Sequence, residues 1–140
     1  MAVAVSGGTT ESKLSVGRAM RLLIAGVPSA GKTTLAGEIG GRVIHTDDYI
    51  ELGWSESSLA VSHLFDEEGP WVIEGVIVPR ALRKWLGRNE EGKPADRVIF
   101  LNDPRQALSK GQAGMAKGCR TVWLEVVGEL RGRGVKIEER

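Results

Sequence analysis

The stretch "GVPSAGKTT" at residues 26–34 sets three residues with almost no side chain, Gly26, Ala30 and Gly31, beside a single lysine, Lys32. Gly26, Gly31, Lys32 and Thr33 match the spacing G-x-x-x-x-G-K-[ST], in which the backbone itself is the working surface. Glycine at 26 and 31 permits backbone angles that a side chain would block. The segment Gly26, Val27, Pro28, Ser29, Ala30, Gly31, Lys32, Thr33 and Thr34 is therefore expected to wrap a polyphosphate. Its N–H groups would form an anion nest where a helix begins. Lys32 is long enough to reach the β- and γ-phosphates of a nucleotide, and the Thr33 hydroxyl is the expected ligand of Mg2+. The cofactors this motif implies are ATP and Mg2+.

A second candidate group lies in "HTDDYIELGW", residues 45–54. In a parallel sheet, ligands sit beyond the carboxyl ends of the strands. A strand over 42–46 puts Asp47 and Asp48 on the same edge as the glycine-rich loop. A carboxylate facing a γ-phosphate can take the proton of an attacking hydroxyl, or hold Mg2+ through water. Adjacent carboxylates seldom point the same way, so one of the pair is expected to act; the structural alternative is that Asp47 caps a loop or helix. Trp54 follows the acidic pair, where an aromatic ring could stack on a base. His45 and His63 have no cysteine or acid pattern around them that suggests zinc.

The elements that must position these residues follow from periodicity. "RLLIAG" (21–26) is a continuous apolar run, as a strand buried on both faces would be. A helix over 32–40 is stopped by Gly40 and Gly41. Strands are expected at 42–46, 71–75, 97–101 and, weakly, 135–138. Helices are expected at 55–69 and at 79–88, where Pro79 suits a first turn. Residues 103–119 are expected to begin as a helix and lose order through their glycines, with a further helix at 120–132. Strands separated by helices imply an α/β fold with a parallel sheet covered on both faces.

The chain has 140 residues, 41 % hydrophobic and 26 % charged, an ordinary balance for one globular domain with a real core. The net charge of +1 hides an asymmetry: residues 1–79 sum to −5 and residues 80–140 to +6. A basic second half suggests an anionic partner, against the alternative of scattered solvated charges. Cys119 is the only cysteine, so no internal disulfide forms and a reducing cytoplasm is expected. No apolar stretch approaches the roughly 20 residues of a membrane helix. Residues 1–19 lack a basic n-region and are expected to be a disordered leader ahead of one domain at 20–140.

"GVPSAGKTTLA" followed by "HTDDYI" resembles the P-loop kinases of the nucleoside and nucleotide kinase group, with the adenylate-kinase-like fold, in the polynucleotide-kinase, zeta-toxin and uridine-kinase branches. The resemblance covers about residues 20–138. It implies a three-layer αβα P-loop NTPase fold with about five parallel strands and a short lid. It also implies transfer of the γ-phosphate of ATP to a hydroxyl of a nucleoside, nucleotide or other small alcohol. Lys32 and Asp47 would then be catalytic, Asp47 as the base. Asp48, Arg80, Arg83 and Arg120 would surround the acceptor, and Glu74 of "WVIEG" would face the acceptor or the metal.

The chain departs from that pattern in two places. The lid stretch "SKGQAGMAKGCR" (109–120) carries only Lys110, Lys117 and Arg120. "WVIE" ends in glutamate where an aspartate is usual, and Asp103 of "IFLND" comes too late to replace it, so no residue beyond Thr33 is assigned to the metal. Some phage kinases with such a loop phosphorylate a hydroxymethylated base within DNA, which makes nucleic acid an alternative acceptor. A nucleotide-dependent switch or ATPase that transfers nothing, and a toxin acting on a nucleotide sugar, are the remaining classes. The expected assembly is a monomer or homodimer with no membrane attachment.

Overall fold

Uninterrupted apolar runs become the middle of the sheet. The computed structural model describes residues 20–140, apart from the side chains of 50 and 51, and the leader expected over 1–19 lies outside the described residues. In chain order the elements are β1 (Arg21–Gly26), α1 (Lys32–Ile39), β2 (Val43–His45), a 3-10 helix (Thr46–Leu52), α2 (Trp54–Leu64), β3 (Trp71–Gly75), α3 (Val78–Arg88), β4 (Arg97–Leu101), α4 (Lys110–Gly132) and β5 (Lys136–Glu139). The five strands form one parallel sheet in the order β2-β3-β1-β4-β5. The fold class is α/β, with four helices around an all-parallel sheet.

Side-chain alternation along β1 builds a core on each face. Leu23 and Ala25 join Ile73, Val98 and Phe100 beneath α2, α3 and α4, while Leu22 and Ile24 join Val72, Ile99 and Ala36 beneath α1. Leu22, Leu23 and Ile24 are at most 1 % exposed, and burying each stabilises the fold by about 1.5–3 kcal/mol. The layers are those of a three-layer αβα arrangement.

Strand order also fixes where a ligand can sit. The connection leaving β1 leads to the β2 edge, and the one leaving β3 passes β1 to reach β4. The chain ends of β1 and β3 therefore bracket a crevice at a topological switch point.

The second half differs from expectation. Residues 103–109 are not helical, and α4 is one continuous 23-residue helix from Lys110. Its start is set by a capping box: Ser109 Oγ accepts from Gln112 N at 3.1 Å, and Gln112 Oε1 accepts from Ser109 N at 2.9 Å. Its glycines do not break it, because Ala116, Cys119, Val122, Trp123, Val126, Val127 and Leu130 bury one face, and packing outweighs propensity in holding a helix. The stretch expected to be a short lid is thus the first half of this helix. Smaller shifts are of the usual size at element ends: Thr46 leaves β2 to open the 3-10 helix, and α2 stops at Leu64.

Candidate active site

The loop after β1 turns through two left-handed residues, Ser29 at φ 61° and Gly31 at φ 94°. Only the second is a glycine. Gly31 has a further reason to lack a side chain, because a Cβ there would lie 2.6 Å from Cζ of Arg105. Arg105 also donates its backbone N–H to Ser29 O at 2.7 Å, so the segment after β4 braces the loop from behind. Gly26 works differently from expectation. Its φ is not positive; a Cβ there would meet the Leu101 carbonyl oxygen at 2.5 Å. That same carbonyl accepts from Val27 N at 3.1 Å. Gly26 is needed for the close approach of β4, and the unusual backbone angle falls on Ser29.

Among the described residues, no protein acceptor takes the backbone N–H groups from Ser29 to Thr34. They belong to the loop and to the first turn of α1, where helical N–H groups have no intrahelical partner. A cradle of free donors at a helix N-terminus attracts anions. Lys32 stands in it, its Nζ donating to Val27 O at 2.7 Å. Burial holds the Lys32 ammonium below the usual lysine range, while the charges of Glu74, Cys119 and Asp47 pull the other way. Lys32 is thus a cation short of solvent, with two carboxylates in range.

Glu74 is the hinge of the acidic side. It is the next-to-last residue of β3, beside β1, is 3 % exposed, and accepts from Thr33 Oγ1 at 3.0 Å through Oε2. The same oxygen lies 2.6 Å from Nδ1 of His45, its partner across the β2–β3 ladder. Gly75 follows it because a Cβ there would fall 1.7 Å from Thr46 Oγ1. That close approach seats the 3-10 helix carrying Asp47 against the end of β3. Pro28, Ser29, Gly31, Lys32, Thr33, Thr34, Asp47 and Glu74 line one cleft of about 410 Å3, with Val76, Gln112 and Met115.

The other expected residues divide. Asp48 is exposed on the 3-10 helix and does not line this cleft. Arg83 is drawn away, pairing with Glu125 of α4 at 2.8 Å on the surface. Arg120 donates to the side chain and carbonyl of Asn102 at 2.8 and 3.1 Å, and lines a separate hollow with Trp123 and Arg140. Arg80 lies over the Trp54 ring, 4.9 Å from its centroid. Much of the basic second half is spent internally, in pairs such as Arg97–Glu138, Arg131–Glu139 and Arg133–Glu129.

Sequence reasoning passed over Arg105, Gln112 and Met115, and weighed His45 only as a zinc ligand. His45 and Glu74 lie near the ends of strands that become neighbours, a relation that only the strand order reveals. The Ser109–Gln112 capping box was readable, and it places Gln112 at the start of α4. For a metal, the Thr33 hydroxyl and Glu74 carboxylate offer hard oxygen donors 3.0 Å apart, with Asp47 on the same cleft, the donor type that Mg2+ takes. Among the described residues no three His, Cys, Asp or Glu side chains gather into a metal cage, and Mg2+ in nucleotide sites relies instead on one or two protein ligands plus phosphates and water. The donor set fits that ion. None of the described helices is long and apolar enough to cross a membrane. No family model matches the chain, and no curated protein is significantly similar to it.

Proposed function

We propose that this chain is a P-loop kinase that moves the γ-phosphate of ATP to a hydroxyl of an acceptor. The observation that carries this reading is the convergence on one cleft of the unpartnered N–H cradle, Lys32, the Thr33–Glu74 pair and Asp47. Phosphoryl transfer asks for little else, since its catalysis is mostly positioning and charge neutralisation. The backbone from Ser29 to Thr34 binds and orients the phosphates. Lys32, already short of solvent, gains most from an anion beside it. Thr33 and Glu74 would hold Mg2+, which neutralises charge on the phosphates when bound. Asp47, across the cleft, takes the proton of the attacking hydroxyl.

A second reading, with the hydroxyl carried on DNA, is favoured by one feature: the stretch where a lid was expected is part of α4, and from it only Gln112 and Met115 line the cleft. The test is transfer of labelled γ-phosphate from ATP to a panel of nucleosides, nucleotides, sugars and hydroxymethylated DNA, with Lys32→Ala as control. Label on an acceptor that vanishes with Lys32→Ala supports the kinase. Hydrolysis indifferent to every acceptor would make the chain an ATPase or switch.

A further inference from the structure

Glu74 differs from every other carboxylate that forms an ion pair among the described residues. The others keep at least 31 % of the side chain exposed and pair with arginine. Glu74 keeps 4 %, and its close partner is His45. A carboxylate so enclosed needs donors. It has two, and both aim at one atom: Oε2 accepts from Thr33 Oγ1 at 3.0 Å and lies 2.6 Å from His45 Nδ1. An ionised carboxylate only accepts, so Nδ1 carries the proton and donates. Oε1 takes no hydrogen bond from the described residues. Lys32 is in range of the charge but directs its Nζ to Val27 O.

Two donors on one oxygen fix the rotation of the carboxylate. Thr33 alone would let the group swing about a single hydrogen bond; His45, approaching from β2, removes that freedom. Oε1 is then the oxygen left over, in a residue that lines the cleft, with no arginine to cancel its charge. The contact is no by-product of a polar edge. Among the described residues it is the one side-chain hydrogen bond made by residues 43–47, and the neighbouring Thr46 Oγ1 is buried with no partner. Exposed ion pairs contribute little, but His45 meets an acceptor that is already enclosed.

Resting on the kinase reading, in which Glu74 helps to hold Mg2+, we infer that His45 is a positioning residue: its Nδ1–H locks the Glu74 carboxylate so that Oε2 keeps the Thr33 hydroxyl and Oε1 is offered to the cleft. His45 touches neither ion nor nucleotide and acts through Glu74. Asp47 stands two residues later, so one short segment serves both the metal and the base.

The test is Mn2+ binding to the full chain carrying a non-hydrolysable ATP analogue, read by electron paramagnetic resonance, since Mn2+ takes the oxygen donors that suit Mg2+. His45→Leu keeps bulk and removes the donor. It should weaken Mn2+ binding by at least about tenfold, the lower range for a lost outer-shell partner. The His45 side chain is 45 % exposed, so the melting temperature should stay within about 5 °C. His45→Asn, whose amide nitrogen stands where Nδ1 stands, should restore Mn2+ binding. In a Glu74→Gln background, His45→Leu should add no further loss, because a residue acting through Glu74 has nothing left to act on. Unchanged Mn2+ affinity in His45→Leu, no recovery in His45→Asn, or an equal further loss in the Glu74→Gln background overturns the role. A wild-type chain that binds no Mn2+ overturns it together with the metal reading of Glu74. The full Mn2+ pattern without phosphate transfer to any acceptor instead overturns the kinase reading and leaves the role of His45 standing.

Discussion

Replacing Glu74 by glutamine separates a metal-holding carboxylate from a structural brace. The amide keeps the shape and a carbonyl to accept from Thr33, but not the charge. On the stability side, the charge-assisted hydrogen bond becomes a neutral one, a loss of about 1 kcal/mol. A carboxylate that is 3 % exposed no longer has to be buried, which offsets part of that loss. The melting temperature should therefore move by no more than about 5 °C, the shift that roughly 1 kcal/mol gives in a domain of this size. On the functional side, unit charges about 4 Å apart at an effective dielectric near 20 attract by about 4 kcal/mol. The cleft is open to water, and half of that value corresponds to about a 30-fold weaker hold on Mg2+. The assay is Mg2+ titration of phosphate transfer beside a thermal melt of the same preparation. A half-saturating Mg2+ within about threefold of wild type, together with a melting temperature lower by 10 °C or more, would refute the metal role and make Glu74 the tie between His45 and Thr33.

Three further outcomes are expected. Asp47→Asn should lower transfer by at least about a hundredfold, the lower range for a lost general base, with ATP affinity within a few fold; Asp48→Asn should do less, and steady-state kinetics with nucleotide binding checks both. Lys32→Met should abolish nucleotide binding yet melt at the same or a higher temperature at neutral pH. The folded lysine releases its proton below the ordinary value of 10.5, so between the two values the unfolded chain binds more protons and wild-type stability rises with pH; the advantage of Lys32→Met should shrink over that window in melts at stepped pH. Gly26→Ala should destabilise by about 1–3 kcal/mol through overpacking against Leu101, whereas Gly37→Ala, with open space around it, should gain up to about 1 kcal/mol; denaturant titration of the pair checks the contrast.

The central strands were legible because β1, β3 and β4 are buried on both faces, and burial on both faces leaves an unbroken apolar run. The loop was legible because the anion-binding backbone proposed for it restricts its side chains to a fixed spacing. The path of α4 was not, since Gly111, Gly114 and Gly118 weaken the helix locally and only the buried stripe from Ala116 to Leu130 overrides them. The reason for Gly26 was hidden because it concerns a carbonyl 75 residues away in sequence. Arg83 and Arg120 carry the right charge for an acceptor site, but Glu125 and Asn102 claim them, and such competition depends on which helix faces which. Glu74 was expected to face the acceptor or the metal; its bond to Thr33 puts it beside the proposed metal ligand.

The two sides of the cleft are tied down unequally. The glycine-rich loop springs from β1, which is hydrogen-bonded to a strand on each side, and is propped again by Arg105. His45, Thr46 and Asp47 hang instead from β2, three residues long and joined to β3 alone at the sheet edge. Short edge segments open at lower free energy than the centre of a fold. Amide exchange should thus be faster by orders of magnitude along 43–49 than along 21–26. The consequence reaches into ancestry: the β2 edge can accept insertions and drift in sequence without disturbing the phosphate cradle. On the proposed kinase reading, a lineage built on this scaffold can exchange one acceptor for another while its triphosphate chemistry stays fixed.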